Sequence, residues 1–304
     1  MTVIAVTGAS GFIGRNFQAH CSERGQDLRV VSRDDLQKGG KHLYLGADAV
    51  VHLAGRAHVT AETAPDPLAA YRSTNVELTQ RVFLDSLAAG VRRFVFVSSI
   101  GVHGTHSGDV AFTAADVPAP VDLYAQTKNE AEQWLQVSCA ARDMQLVVVR
   151  PTLVAGAHAP GNLARLARFI RNGMPIPVVT NNARRHLVGV RSLAELLRVA
   201  CILPAASGRI LLAADEPALT TAEMAHAIAV GVGRHPRLVR LPVSLLRPIA
   251  SLLGRARDFT RISSSLLIDA HETRELLDWR APVTIHEELA ALGRAACSQD
   301  KSRE

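Results

Sequence analysis

Short apolar runs recur through the first half of the chain, each closed within two residues by a glycine, a serine or a charged residue. They are Val3 to Val6, Leu28 to Val31, Ala49 to Leu53, Phe94 to Val97 and Leu146 to Val149. None alternates apolar with polar, so each predicts a strand buried on both faces. Between them lie helical stretches, among them Ile13 to Arg24, Leu68 to Ala89 and Leu123 to Ala141. Strand and helix in alternation predict an α/β fold, a Rossmann-type doubly wound parallel sheet with right-handed crossovers. The pattern changes after Arg150-Pro151. Glycine and proline punctuate 156–177, helices are expected near 192–203, 220–231 and 243–254, and an isolated strand at Arg209 to Ala213. This predicts a dinucleotide-binding domain over 1–155, with segments near 186–214 returning to it. A smaller, partly interleaved C-terminal substrate lobe is expected over 156–304.

The chain has 304 residues, enough for a large core. Its formal charge is +6, but the basic residues are spread out and no run of five or six occurs, so no nucleic-acid partner is expected. At 4% aromatic residues it also lacks a set of base-stacking platforms. Cys21, Cys139, Cys201 and Cys297 have no metal-ligand spacing; they read as reduced thiols of a cytoplasmic protein, with no metal. Met1 runs straight into the first strand, so no signal peptide is expected. No 18-residue apolar run exists, so no membrane insertion is expected either.

Thr7 to Gly14 reads Thr-Gly-Ala-Ser-Gly-Phe-Ile-Gly and joins a strand to a helix. Gly8 permits the tight turn, Gly11 lets backbone approach a pyrophosphate, and Gly14 lets the helix pack close to the sheet. Ser10, Phe12 and Ile13 open the helix whose N-terminus faces the phosphates. At the end of the second strand, where an acidic residue would hold a ribose 2′-hydroxyl, stand Ser32 and Arg33. Arg33 suits a 2′-phosphate and tilts the expectation from NAD towards NADP, while Asp34 or Asp35 could still reach the hydroxyl.

Tyr124 and Lys128 are four residues apart on an expected helix, hence on one face. Tyrosine titrates near ~10, and bringing it to neutrality requires ~4 kcal/mol. An ammonium about 4 Å away at an effective dielectric of ~20 supplies about that. Ser98 and Ser99 follow an apolar strand, where a hydroxyl faces the ligand crevice. Asn75 could hold a water or a backbone group nearby.

These motifs resemble the extended short-chain dehydrogenase/reductase family, in its nucleotide-sugar epimerase/dehydratase branch. Beside the segments above, the resemblance rests on Val51 to Gly55, Asn75-Val76, Phe96 to Ser99 with Gly104, Arg150-Pro151 and Asp278-Trp279. Asp66 to Ala70, Gly161-Asn162 and Arg184 to Val188 look like bacterial UDP-glucose or UDP-N-acetylglucosamine 4-epimerase-like proteins. The resemblance implies Tyr124 as acid/base, Lys128 on the nicotinamide ribose and Ser99 on the sugar 4-oxygen. It implies Leu53, Ala54, Gly55, Ser98 and Pro151 around the cofactor. Asn162, Arg185 and Arg261 would hold the diphosphate of a UDP-linked sugar, and a homodimer is implied too. Two departures stand out. The stretch between the second strand and Ala49 is short, so the family's third strand is missing or eroded. Ala155 replaces a tyrosine.

The reading is therefore a nucleotide-sugar epimerase or oxidoreductase acting at C4 of a UDP-sugar through a 4-keto intermediate. An NAD(P)H-dependent 4-keto-sugar reductase is the alternative. A 4,6-dehydratase is disfavoured because Ile100-Gly101 follow Ser99, where that branch carries an Asp-Glu pair. A non-catalytic cofactor-sensing module shares the fold, but the Tyr124–Lys128 pair speaks against it. A membrane-associated role for the apolar stretch 241–253 is set against a packed helix of the small lobe.

Overall fold

The computed structural model describes residues 2–57, 64–242 and 263–298. Along the chain run β1 (Ile4–Thr7), α1 (Phe12–Glu23), β2 (Leu28–Val31), α2 (Arg33–Lys38), β3 (Ala49–His52), α3 (Pro67–Arg72) and α4 (Leu78–Ala88). Next come β4 (Arg93–Val97), α5 (Leu123–Ala140), β5 (Gln145–Pro151), β6 (Leu153–Ala155), α6 (Asn162–Arg171), β7 (Pro175–Val179) and β8 (Arg185–Gly189). The remainder is α7 (Val190–Ile202), β9 (Ile210–Ala213), β10 (Asp215–Leu219), α8 (Thr221–Val232), β11 (Arg237–Leu241), α9 (His271–Leu277) and α10 (Ile285–Ser298).

The expected strands assemble into one parallel six-stranded sheet, ordered β2-β1-β3-β4-β5-β9. Its inner strands are buried throughout, because helices cover both faces. On one face Ile4, Val6, Val51, Val95 and Val147 pack against Phe17 and Cys21 of α1 and Leu193 and Leu197 of α7. On the other, Ala5, Val50, Phe94, Phe96 and Val148 pack against Phe83 of α4 and Leu135 of α5. Strand β9 is the sixth strand of this sheet, paired with β5. At the opposite end β2 is the edge strand. The chain from β2 to β3 holds only α2 and a 3-10 turn at Lys41–Leu43, so no further strand flanks it.

The helix expected over 68–89 is broken. A π-turn at Ser73–Glu77 separates α3 from α4. The second half has more structure than its punctuation suggested. It carries a three-stranded sheet, β10-β8-β6, and a parallel ribbon, β11-β7. The prolines of β7, Pro175 and Pro177, take the exposed positions while Ile176 and Val178 point inward. The segment therefore reads as irregular in sequence and still pairs. The helix expected at 243–254 lies outside the described residues.

Helices α6, α8 and α10 form a second core around Leu163, Ile170, Ile228, Leu289 and Leu292. Thr220–Glu223 caps α8 with a reciprocal pair of hydrogen bonds, and Thr284–Glu287 makes the same pair before α10. The two helices touch backbone to backbone. A Cβ on Gly231 would lie 1.8 Å from the Ala290 carbonyl oxygen, and one on Gly293 2.1 Å from that of Ile228. Gly231→Ala should therefore cost about 1–3 kcal/mol through overpacking, read as a fall of several degrees in Tm. Val230→Ala, at an exposed neighbouring position, should stay within about 0.5 kcal/mol of the parent.

Candidate active site

In this strand order the chain leaves β1 for β2 on one side and returns to β3 on the other, which opens a crevice at the carboxyl ends of β1 and β3. The glycine turn lies in it. Gly8 has φ +70°, and a Cβ there would meet the Ala54 nitrogen at 2.6 Å. A Cβ on Gly14 would strike the Gly8 carbonyl oxygen at 2.3 Å, so strand, turn and helix α1 touch through bare backbone. Gly11 is the N-cap of α1 and offers no side chain to its first N–H groups. Ser10 and Gly11 are exposed, and Phe12 and Ile13 turn inward to the two cores. A bare, uncapped helix start at the crevice fits a pyrophosphate.

At the end of β2, Ser32 caps α2 and forms a capping box with Asp35. The Ser32 hydroxyl and backbone N–H both donate to the Asp35 carboxylate, which holds it below the usual range. Asp35 is thus engaged within its own turn. Arg33 and Asp34 remain exposed beside it.

Tyr124 stands in the first turn of α5, whose N-cap Asp122 accepts a hydrogen bond from the Ala125 N–H at 2.8 Å. Ser99 follows β4, and its Oγ accepts from the Gly101 N–H at 3.1 Å. Burial, with smaller upward pushes from Asp122 and Tyr71 and an opposing polar contact with Ser99, raises the Tyr124 phenol to about 12. The expectation that Lys128 acidifies this phenol is corrected here. The Lys128 ammonium donates to the Val97 carbonyl at 2.9 Å and lies 4.6 Å from the centre of the Phe96 ring. Burial lowers it to about 8, against an opposing pull from Glu132. The ammonium is turned towards the sheet, so the chain itself keeps Tyr124 protonated.

Ser98 is buried and its hydroxyl has no partner, the kind of orphan that a bound group satisfies. Leu53 and Ala54 are half-buried and Gly55 is exposed, all at the mouth of the crevice. A Cβ on Gly55 would come within 3.0 Å of Asn75 Oδ1 and 3.4 Å of Lys128 Nζ, so bare backbone covers the ammonium. Asn75 is fully buried in the π-turn. Its Oδ1 accepts from the Arg56 N–H at 2.8 Å, and its Nδ2 donates to the Arg56 carbonyl at 3.2 Å and to Thr127 Oγ1 at 3.0 Å. It therefore holds a backbone group, one of the two roles expected of it. The glycine cradle, the free helix start and the orphan hydroxyl fit a nicotinamide dinucleotide lying across the ends of β1, β3 and β4.

Pro151 ends β5 next to Ala213 of β9. Arg150 beside it is buried and makes an ion pair with Glu132 of α5 at 2.5 Å. It also donates to His103 Nε2 at 2.7 Å. Nothing in the spacing of these three residues announced the cluster. Of the expected diphosphate ligands, Asn162 is exposed at the first position of α6. Arg185 opens β8 and donates to the carbonyls of Ser264 and Thr105, bridging the small sheet to the loop beyond Gly104. Arg261 lies outside the described residues, as does the stretch 241–253 beyond Pro242. Ala155, where a tyrosine was expected, is fully buried at the end of β6. Among the described residues no group of three potential ligands could hold a metal, and no helix is long and apolar enough to cross a membrane.

The profile of the NAD dependent epimerase/dehydratase family matches residues 4–211. A UDP-glucose 4-epimerase of Vibrio cholerae is 30% identical over 304 aligned residues, covering 93% of this chain and 92% of that protein. In fold, the chain matches the UDP-glucose 4-epimerase of Thermus thermophilus in complex with NAD, with a TM-score of 0.77 and 19% identity over 97% of this chain and 99% of that one. It matches RMD from Pseudomonas aeruginosa complexed with NADPH, with a TM-score of 0.78 and 19% identity over 98% and 100%.

The electrostatics of Tyr124 make a testable claim. Asp122 is a negative charge that disfavours the phenolate, so Asp122→Asn should move the ionisation of Tyr124 to lower pH. Asparagine caps a helix about as well as aspartate, so Tm should hardly change. The test is the pH dependence of kcat/KM, or of tyrosinate absorbance. An unmoved profile would show that the field of Asp122 does not reach the phenol.

Proposed function

The chain belongs to the NAD dependent epimerase/dehydratase family, and from that premise we propose that it acts at C4 of a UDP-linked sugar through a 4-keto intermediate. The observation that carries this reading is the convergence of Tyr124, Ser99 and Lys128 at the strand ends bordering the glycine turn. When bound there, NAD or NADP supplies reversible hydride acceptance. Tyr124 exchanges a proton with the sugar 4-oxygen, and Ser99, in polar contact with the phenol, donates a hydrogen bond to the same oxygen. Lys128, clamped on the Val97 carbonyl, would hold the nicotinamide ribose with its remaining donors. Asn162, Arg185 and Arg261 are assigned to the diphosphate, where guanidinium forks suit phosphate oxygens. We further read the protein as a cytoplasmic homodimer.

One observation favours a second reading, a 4-keto-sugar reductase using NADPH. With Asp35 engaged in its capping box, Arg33 is the exposed cation at the ribose end of β2. Purified protein offered UDP-sugars distinguishes the two. Interconversion of C4 epimers without added cofactor means an epimerase; consumption of added NADPH with a 4-keto sugar means a reductase.

Tyr124→Phe should lose about 10²-fold or more in turnover while still binding dinucleotide, as followed by nicotinamide fluorescence. Retained turnover would remove Tyr124 from the chemistry. Arg33→Ala should weaken NADP binding by about tenfold or more and leave NAD binding nearly unchanged. Equal losses for both would make Arg33 a general contact rather than a reader of the 2′-phosphate.

A further inference from the structure

We propose that His52, at the end of β3, is a positioning residue that sets the cofactor-facing loop 53–57 against the catalytic helix α5. The inference rests on the hydride-transfer reading above and adds to it a residue that the chemistry itself does not touch.

His52 is fully buried, with its ring between Phe94 and Phe96 at centroid distances of 5.9 and 6.1 Å. Both ring nitrogens are engaged. Nδ1 is 2.8 Å from Thr7 Oγ1, and Nε2 is 3.0 Å from Thr79 Oγ1. The neighbouring bonds fix the direction of every proton. The Thr79 hydroxyl donates to the Asn75 carbonyl at 2.8 Å, so its oxygen is left to accept from His52 Nε2–H. Nδ1 must then accept, and the Thr7 hydroxyl donates to it. The Thr7 oxygen in turn accepts from the Ala54 N–H at 3.3 Å. One neutral tautomer satisfies the whole chain. Burial, with a further push from Lys128, holds the ring neutral by lowering it to about 3.

The ends of this chain indicate its use. One end is the main-chain N–H of Ala54, packed against Gly8 of the phosphate-facing turn. The other is Asn75, whose side chain grips both main-chain groups of Arg56 and reaches Thr127. Thr127 precedes Lys128, and its hydroxyl donates to the carbonyls of Leu123 and Tyr124 at 3.0 Å. A continuous buried path thus joins the phosphate turn, the loop over the ammonium and the backbone of the proton-transfer residue. The π-turn serves the same arrangement. By breaking the 67–88 helix at Ser73–Glu77, it places both the amide and the carbonyl of Asn75 on the inner side. Thr7, His52, Asn75, Thr79 and Thr127 are all fully buried, and apolar residues of the same size would satisfy packing without any buried polar group to match.

His52→Phe keeps an aromatic ring between Phe94 and Phe96 and removes both nitrogens. The measurements are Tm, the Kd of NAD and NADP by nicotinamide fluorescence, and kcat and KM for the UDP-sugar. Dinucleotide binding should weaken about tenfold and kcat should fall about 10- to 100-fold, the scale of a misplaced reacting group, with KM for the sugar within about twofold. A lower Tm with unchanged Kd and kcat, read well below that Tm, would make His52 merely structural and overturn the proposal. Should His52→Phe fail to fold, Thr79→Val leaves Nε2–H without its acceptor, and the same split between Kd, kcat and KM decides. Wild-type protein that binds neither dinucleotide would overturn the hydride-transfer reading and this one with it. Binding that is equal in wild type and variant overturns only the positioning role.

Discussion

Everything in the crevice depends on how closely two stretches of backbone approach each other. The turn after β1 and the end of β3 meet with no side chain between them, and a single methyl group on Gly8 would strike Ala54. That contact is available only because the chain crosses from β2 back over β1, placing two strand ends side by side with their loops diverging. It makes a narrow cleft whose floor is main-chain N–H and C=O. Dinucleotide phosphates are recognised by such groups, so the fold builds the binding surface before any side chain contributes specificity.

Side chains then add a polar layer inside an otherwise apolar sheet. Thr7, His52, Thr79 and Asn75 lie under the cleft, between the rings of Phe94 and Phe96 and the helices that cover them. Buried polar groups are tolerated only when matched, and here each match fixes a backbone position facing the cofactor. Lys128 belongs to the same layer. Its ammonium caps the carbonyl of Val97, lies over Phe96 and is covered by Gly55, so its charge is engaged by the sheet rather than by the phenol. Two residues on one face of a helix need not point the same way. A long flexible amine reaches whichever acceptor is unsatisfied, and here that is a strand-end carbonyl.

This explains what could be read from the sequence and what could not. The inner strands β1, β3 and β4 were legible because each is buried on both faces and therefore almost continuously apolar. The glycine turn was legible because its three glycines are steric requirements. Strands β6, β7, β8 and β10 were not, since they are short, carry proline or charge, and owe their pairing to partners far along the chain. The π-turn was hidden because no glycine or proline interrupts the sequence across it. The direction of the Tyr124 shift was missed because spacing reports a shared face but not desolvation, and burial is the largest influence on that phenol. The Arg150–Glu132–His103 cluster joins three elements and has no local signature.

The shortened connection after β2 bears on how the cofactor is used. In a sheet that continues beyond β2, the adenosine end of a dinucleotide has another strand and its loop to rest on. Here β2 is the edge, and Val30 on it is 49% exposed. A dinucleotide held there would have less protein around its adenosine end and would leave more readily. An epimerase gains from retaining its dinucleotide, because the hydride that leaves must come back to the same sugar. A reductase needs release in every cycle. The open edge and the exposed Arg33 are separate features of the chain, and both favour an enzyme that exchanges its cofactor. The opposing consideration is the full-length similarity to a 4-epimerase. The cleft chemistry is common to both reactions, so the difference between them lies in how firmly the ribose end of β2 holds its ligand.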